Sequence, residues 1–260
     1  MLDIQHLSVS YAGGVSALSD FSLHMERGEV VALVGESGSG KTTAVRTILG
    51  LLPPGGTVEG GTVNFEGRSL LDLSRREWGR LRGKEISVIF QDSGAMLNPI
   101  RTVGSQFREY IRAHSALSRR EAAELAGEML GRMGLPNPES ILASYPFQLS
   151  GGQRQRVGIA MAMTFRPRLL LADEPTSALD VTTQAQIVRQ LLELRDACRT
   201  AVLLVTHNLA VAAYMAGHIV VMRSGRITDQ GDREHLLRSE EPYTQQLLRS
   251  VPDLGGMWDV

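Results

Sequence analysis

A glycine-rich turn near the start of the chain has the residue types that bind phosphate. The segment "VALVGESGSGKTT" holds the pattern G-x-x-x-x-G-K-T between an apolar run and a helical pattern, which is the context that a phosphate-binding loop requires. In such a loop backbone N–H groups wrap a β-phosphate, Lys41 reaches the β- and γ-phosphates, and Thr42 offers its hydroxyl to Mg²⁺. The phosphate-binding residues predicted here are Gly35, Glu36, Ser37, Gly38, Ser39, Gly40, Lys41, Thr42 and Thr43.

Two carboxylates occupy a second position suited to this chemistry. The apolar run in "RLLLADEP" ends at Asp173 and Glu174, and α/β sheets place their ligands at the carboxyl ends of strands. Asp173 fits the Mg²⁺ side of a nucleotide site, and Glu174 fits a general base that polarises an attacking water. The simpler alternative is a pair of helix N-terminal acids beside Pro175.

A second glycine-rich turn lies more than a hundred residues further on, in "QLSGGQRQRVGIAMA". A Ser-Gly-Gly turn that runs into a helix is also a ready anion site, because free backbone N–H groups and the helix dipole both favour negative charge. The pattern alone leaves open why one domain would carry two such turns. The residues of this second candidate contact are Ser150, Gly151, Gly152 and Gln153.

The elements that must position these residues begin as strands. Short apolar or alternating runs with turn residues between them predict strands at Leu2–Tyr11, Phe21–Met25, Val30–Val34, Thr62–Phe65 and Ile86–Phe90. After the second glycine-rich turn, strands and helices alternate. Continuous apolar runs at 168–172 and 201–205 are typical of parallel strands covered on both faces, with a helix over 181–195 between them and a strand pair around 224–225.

The intervening stretch, from about 102 to 143, is helical in pattern. Ser118 and Glu121 have the spacing of a capping box, and Gly134 and Pro136 end the helix that follows. Four-residue spacing places three apolar side chains on one face, which predicts core packing rather than a binding surface. These side chains are Leu125, Met129 and Met133. The whole pattern predicts an α/β core split by a helical insert.

Composition excludes several classes of protein. The chain has 260 residues and a net charge of −1, so no bulk charge draws it to nucleic acid or an anionic membrane. A single cysteine, Cys198, excludes an internal disulfide framework and is predicted to be a packed thiol. The N-terminus lacks signal-peptide features, and the longest apolar stretch, Leu209–Met222, is shorter than the roughly 20 residues that span a bilayer. We expect a cytosolic chain, or one docked on a membrane through another protein.

Six motifs in a fixed order then resemble one family. "LSGGQ" at Leu149–Gln153 resembles the signature of ATP-binding-cassette (ABC) ATPases. Gln91 resembles the Q-loop glutamine, "SALD" ending at Asp180 resembles the D-loop, His207 resembles the switch histidine, and Tyr11 lies where the family has an adenine-stacking aromatic. The resemblance implies an α/β fold with a P-loop NTPase core, in which a mixed sheet and an N-terminal antiparallel β subdomain surround an inserted α-helical signature subdomain.

Domain boundaries follow from the same resemblance. We expect a single domain over 1–260, with the core formed by 1–92 and 166–240, the helical subdomain by 93–165 and a short helical tail by 241–260.

The resemblance also implies roles. Gln91 would contact the metal ion and the attacking water, so the predicted Mg²⁺ ligands are Thr42, Gln91 and Asp173. His207 would contact the γ-phosphate of ATP. The ordinary alternatives are a loop glutamine, a structural histidine and a packed Tyr11. Asp180 could serve only as a helix N-cap. Asn208 departs from the family, which usually has an acid there.

Partners are implied as well. Two such subunits meet head to tail, so the signature turn of one would complete the nucleotide site of the other. Two transmembrane permeases would convert MgATP hydrolysis into transport at the cytoplasmic face of the inner membrane. No nucleic-acid partner is expected. Alternatives are a soluble ABC ATPase of DNA repair or translation, an exporter ATPase, or a nucleotide-sensing module without turnover.

A finer resemblance concerns the transported solute. "LNP" at Leu97–Pro99, the following "TVGSQ" and the tail "EPYTQQLLRSVPDL" resemble the oligopeptide, dipeptide and nickel importer subfamily. Peptide members often continue into a cysteine-bearing tail, so the end at Val260 favours nickel or a metal chelate. In this subfamily a second ATPase subunit, identical or different, and a solute-binding protein are expected. The segment Asp92–Thr102 is the candidate groove for a permease.

Overall fold

The computed structural model describes residues 1–91, 96–177 and 179–250. The strands are β1 (Leu2–Tyr11), β2 (Val15–Met25), β3 (Val30–Val34), β4 (Thr57–Phe65), β5 (Arg68–Ser69), β6 (Ile86–Ile89), β7 (Leu169–Asp173), β8 (Ala201–Thr206), β9 (His218–Arg223) and β10 (Arg226–Gly231). The helices are α1 (Lys41–Ile48), α2 (Arg75–Leu81), α3 (Val103–His114), α4 (Arg119–Arg132), α5 (Pro138–Ala143), α6 (Gly151–Met163), α7 (Val181–Cys198), α8 (Leu209–Met215), α9 (Arg233–Leu237) and α10 (Pro242–Ser250), with a 3₁₀ turn at Pro146–Gln148.

An antiparallel sheet forms the N-terminal part, in the order β2-β1-β4-β5. Along β1, buried apolar residues alternate with more exposed ones, as expected for a strand with one face on the core. β2 begins at Val15 and β4 at Thr57, so both strands extend further toward the N-terminus than the predicted starts at Phe21 and Thr62. The added residues mix apolar side chains with polar ones and glycine, and they are held by main-chain pairing with β1 that a hydrophobic pattern does not reveal.

A second, mixed sheet has the order β10-β9-β3-β8-β7-β6 and is parallel except for the β9–β10 pair. Its central strand β3 is buried throughout, with Val31 and Leu33 packed on the side of the antiparallel sheet and Ala32 and Val34 on the side of the helices. Burial on both faces explains why β3, β7 and β8 are continuous apolar runs in sequence.

The register of this sheet brings the predicted site residues to one edge of the sheet. Val34 pairs with Thr206, and Asp173 pairs with Val205. Because the strands are parallel, the chain leaves β3, β7 and β8 at the same edge of the sheet. The phosphate-loop sequence, the two carboxylates and His207 follow these three strand ends directly.

Helices α3, α4 and α5 lie within the stretch expected to be helical, and α6 follows the second glycine-rich turn. The predicted run from about 102 to 143 is three helices, because Ser115 and Asn137 lie in turns between them. The capping box of Ser118 and Glu121 is confirmed, as is the core position of Met129 and Met133. Within the described residues, no helix is long and apolar enough to cross a bilayer.

Met133 tests the packing of α4, since its side chain is fully buried at the C-terminal end of that helix. Met133→Ala should lower the free energy of unfolding by about 2–5 kcal/mol, because it removes buried apolar volume and leaves a cavity. Leu125→Ala on the same helix should cost clearly less, since Leu125 is only partly buried. Urea denaturation of the two variants measures the difference, and equal losses would contradict this packing.

Candidate active site

The turn between β3 and α1 is built around two glycines that cannot carry a side chain. A Cβ on Gly35 would lie 2.2 Å from the carbonyl oxygen of Met222. At Gly40, the N-cap of α1, φ is +106° and a Cβ would lie 2.7 Å from the carbonyl oxygen of Ala17. The loop is therefore pressed between β2 and β9, and its backbone N–H groups lead into the N-terminus of α1.

Lys41 is buried within this loop, at 7% exposure. Its Nζ donates to the carbonyl oxygens of Gly35 at 2.6 Å and Glu36 at 2.7 Å, and to the hydroxyl of Ser39 at 3.1 Å. Burial lowers the pKa of Lys41, while the nearby carboxylates of Glu174, Asp173 and Glu36 act in the opposite direction. The carbonyls that hold this ammonium are neutral and leave its charge uncompensated, which suits it to the oxygens of a phosphate group.

Asp173 and Thr42 form the oxygen-rich part of the site. Burial raises the pKa of Asp173 and Glu174 adds to the rise, whereas Lys41, Arg46 and a hydrogen bond from the Thr42 side chain oppose it. An aspartate and a threonine hydroxyl this close are the donor set of a Mg²⁺ site that takes its other ligands from phosphate and water. Within the described residues, no group of three or more His, Cys, Asp or Glu side chains could by itself hold a metal ion.

Glu174 is held in a fixed orientation beside His207. Its backbone is left-handed, with φ +51°, and its N–H donates to the carbonyl oxygen of Val205 at 2.9 Å. The same carboxylate oxygen, Oε1, accepts from the backbone N–H of His207 at 3.0 Å and lies 2.7 Å from His207 Nδ1. Glu174 is 14% exposed and His207 is 64% exposed, so an oriented carboxylate is shielded under an imidazole that faces solvent.

A cleft of about 500 Å³ joins these groups. Tyr11, whose hydroxyl is 3.1 Å from the Thr43 hydroxyl, lines the cleft, and so does Gln91 together with the two carboxylates. Residues Val15 to Ala17 of β2 also line the cleft, and sequence analysis missed them because their strand was predicted to start later. The predicted residues that line it are Tyr11, Ser37, Gly38, Gly40, Lys41, Thr42, Thr43, Gln91, Asp173, Glu174 and His207.

The second glycine-rich turn lies elsewhere. Ser150 caps α6 through a capping box, in which its hydroxyl accepts from Gln153 N–H at 3.2 Å and its own N–H donates to Gln153 Oε1 at 2.8 Å. Gly152 lies against Thr183 in the first turn of α7. The described side chains around the cleft include none of these signature residues. The turn is thus an exposed helix N-terminus that this chain does not use for its own nucleotide cleft.

Two residues next to the motifs act as helix caps. Asp180 accepts a hydrogen bond from Thr183 N–H at 3.0 Å, as expected for the N-cap of α7. Asn208, which departs from the family pattern, accepts from the N–H groups of Ala210 and Val211 at 3.0 and 3.3 Å and begins α8. An amide oxygen caps a helix as well as a carboxylate does, so the departure leaves the local fold intact.

Fold and cleft together define the class: an α/β protein with a phosphate-binding loop, a carboxylate pair and a histidine at the carboxyl edge of a parallel sheet. Comparison with known proteins narrows it. A family model described as ABC transporter matches residues 18–177. The probable peptide ABC transporter ATP-binding protein y4tR of Sinorhizobium fredii is 45% identical over 97% of this chain and 77% of its own length. The dipeptide transport ATP-binding protein DppD of Escherichia coli is 43% identical over 97% and 79%.

Solved structures agree with this family match. A dimeric post-hydrolysis state of an ATP-binding cassette bound to ADP and Pi has a TM-score of 0.79 and 30% identity, covering 89% of this chain and 98% of that one. The cbiO1 protein of Clostridium perfringens, part of an ABC transporter complex, also has a TM-score of 0.79, at 26% identity over the whole chain. The chain belongs to the ABC transporter family of ATP-binding proteins.

The raised pKa of Asp173 has a consequence for stability. Because its folded-state pKa lies above the unfolded value, the cost of ionising Asp173 is absent below the unfolded pKa and complete above the folded one. Asp173→Asn should therefore raise Tm at pH 8 by on the order of a few degrees, with a smaller gain near pH 4. Thermal unfolding at the two pH values measures this.

Asp180→Asn is the matched control. Hydrogen bonds from Thr183 lower the pKa of Asp180, so ionisation of Asp180 favours folding and its neutralisation should not raise Tm. A gain at Asp173 that does not depend on pH, or an equal gain at Asp180, would contradict this account.

Proposed function

We propose that this chain binds and hydrolyses MgATP at the interface of two ATPase subunits and so powers uptake of peptides through partner permeases. The observation that carries the proposal is the convergence of Lys41, Asp173, Glu174 and His207 on one cleft that lacks the chain's own signature turn. This cleft has the residues needed to bind and hydrolyse a nucleotide on one side, but no signature turn faces them. It is therefore one half of a nucleotide site.

Each residue then has a defined task. Lys41 and the loop N–H groups bind the phosphates, and Thr42, Asp173 and Gln91 hold Mg²⁺, which neutralises charge on the phosphate oxygens when bound. Glu174 accepts a proton from the attacking water through its shielded carboxylate. His207 holds Glu174 through its backbone N–H and its ring Nδ1, and the exposed ring would also contact the γ-phosphate. Tyr11 supports the adenine from the end of β1.

Dimer formation supplies the missing side. The N–H groups at the start of α6, around Ser150, Gly151 and Gly152, would reach the γ-phosphate held by a second ATPase subunit, identical or different. A cassette structure that resembles this chain is described as dimeric and bound to ADP and Pi. In this arrangement ATP favours the closed dimer, because only that state contacts the γ-phosphate from both sides.

A second groove fits the permease partner. It has a volume of about 820 Å³ and lies between the loop after α1, helix α2 and helix α3, with Leu51, Trp78, Leu97 and Gln106 in its walls. Met96 lies in it at 63% exposure. Such an exposed apolar groove suits a helix of another protein. The groove segment predicted from sequence, 92–102, is in part outside the described residues, because the description resumes at Met96.

The substrate is proposed from the relatives. Several that cover most of this chain are named as peptide, oligopeptide or dipeptide transport proteins, which favours peptides over the nickel or metal chelate that the tail suggested. The same names favour a transporter over a DNA-repair or translation ATPase. The chain would thus act as a peripheral subunit at the cytoplasmic face of the inner membrane, with a solute-binding protein delivering the peptide to the permeases.

Glu174→Gln tests the hydrolytic mechanism. Glutamine keeps an oxygen that can accept from His207 N–H but cannot take a proton, so ATP turnover should fall about 100-fold or more while ATP binding persists. We expect dimers that persist in ATP, seen by size-exclusion chromatography with multi-angle light scattering. The wild-type chain should return to monomers as ATP is consumed. Turnover near the wild-type rate in the assembled transporter would exclude Glu174 as the base.

Met96→Glu tests the permease groove. A charge placed in an apolar groove should greatly reduce co-purification with the permeases, while the nucleotide affinity of the ATPase subunit stays unchanged. Leu237→Glu is the control, since Leu237 is also an exposed apolar side chain but lies on α9, outside the groove. Equal permease recovery for both variants would refute this docking surface.

A further inference from the structure

The C-terminal helix α10 reaches the phosphate-binding loop. Tyr243, in its first turn, is 1% exposed, and its hydroxyl accepts a hydrogen bond from the backbone N–H of Glu36 at 2.9 Å. The two residues are separated by 207 positions in sequence. Since the ring is deeply buried and its hydroxyl is aimed at the loop, this contact joins the tail of the chain to the nucleotide cleft.

The hydrogen-bonded group is the peptide unit between Gly35 and Glu36. Its carbonyl oxygen accepts from Lys41 Nζ at 2.6 Å, and its N–H donates to the Tyr243 hydroxyl. Hydrogen bonds on both ends of one peptide polarise each other, and they also fix the plane of the peptide. The orientation of this peptide therefore links Tyr243 to the Lys41 ammonium, which the proposed function assigns to phosphate.

Tyr243 is itself held from two sides. The guanidinium of Arg223, at the end of β9, lies 4.9 Å from the centre of its ring. The next residue, Thr244, is fully buried and donates to Asp229 Oδ2 at 2.8 Å.

The Asp229 carboxylate accepts further hydrogen bonds. Ser239 and His235 also bond to this carboxylate. Burial would raise the pKa of Asp229, but these hydrogen bonds outweigh burial and hold the pKa below its usual value. The carboxylate thus stays ionised and anchors α10 to β10.

We infer that Tyr243 is a positioning residue for nucleotide binding, which acts by holding the Gly35–Glu36 peptide in the orientation that Lys41 requires. The inference rests on the proposed role of Lys41 and adds the C-terminal helix to the nucleotide site. Its alternative is that Tyr243 only fills the core, in which case its hydroxyl has no effect on nucleotide affinity.

Tyr243→Phe separates these two roles, since phenylalanine keeps the ring and removes only the hydroxyl. The dissociation constant for MgADP, measured by isothermal titration calorimetry on the full chain, should rise about 3- to 10-fold, the change that one hydrogen bond of typical net strength corresponds to. For ATP turnover we expect a higher KM with kcat little changed.

Tyr110→Phe is the matched control. Tyr110 is partly buried against the core, and its hydroxyl donates to the Gly83 carbonyl oxygen at 2.8 Å, away from the phosphate-binding loop. Both variants should lose similar stability in thermal unfolding, but only Tyr243→Phe should weaken MgADP binding. Should Tyr243→Phe fail to fold, Thr244→Val keeps the tyrosine and removes the Asp229 bond, and it should also weaken binding.

Lys41→Ala separates failure of this inference from failure of the proposed function. If Lys41→Ala binds MgADP as the wild type does, the proposed nucleotide site is wrong. If Lys41→Ala loses binding while Tyr243→Phe and Thr244→Val match the wild type, the positioning role alone is overturned. Equal weakening by Tyr243→Phe and Tyr110→Phe would likewise overturn it, because the effect would then reflect general destabilisation.

Discussion

The buried ammonium of Lys41 is the interaction on which the rest of the cleft depends. A charge removed from water has to be matched by fixed dipoles and opposite charges, and here the carbonyls of Gly35 and Glu36 surround it while Asp173 and Glu174 lie nearby. The turn needs glycine at Gly35 and Gly40 because a Cβ there would collide with the backbone of β9 or β2. Burial raises the pKa of Asp173, so the ionised carboxylate lowers the stability of the fold. Residues of a binding site often lower stability in this way.

Much of this site could be predicted from sequence because the responsible signals are local. The phosphate loop is a run of eight residues with fixed spacing, and Asp173 and His207 each follow directly after an apolar strand run. The capping box at Ser118 is likewise a four-residue pattern. Parallel strands then bring such separate local signals to one edge, which general topology rules anticipate.

The features that sequence did not reveal depend on long-range pairing. The early start of β2 is stabilised by the main chain of β1, and the mixed polar and apolar residues 15–20 give no regular alternation. The partner of Glu36 lies 207 residues away, and tyrosine near the end of a chain is usually ordinary packing. Asn208 was noticed as a departure from a pattern, but its capping role became clear only from the bonds to Ala210 and Val211.

The contact between Glu36 and Tyr243 also bears on how the protein is made. During synthesis the phosphate-binding loop emerges early, whereas β8 and β9, the neighbours of β3, and then Tyr243 emerge much later. Contacts of such high sequence separation form late in folding. On the ribosome the loop would remain without this hydrogen bond until Tyr243, 207 positions after Glu36, had emerged. The N–H of Glu36 is therefore left to bond with water in any nascent chain that has not yet reached Tyr243.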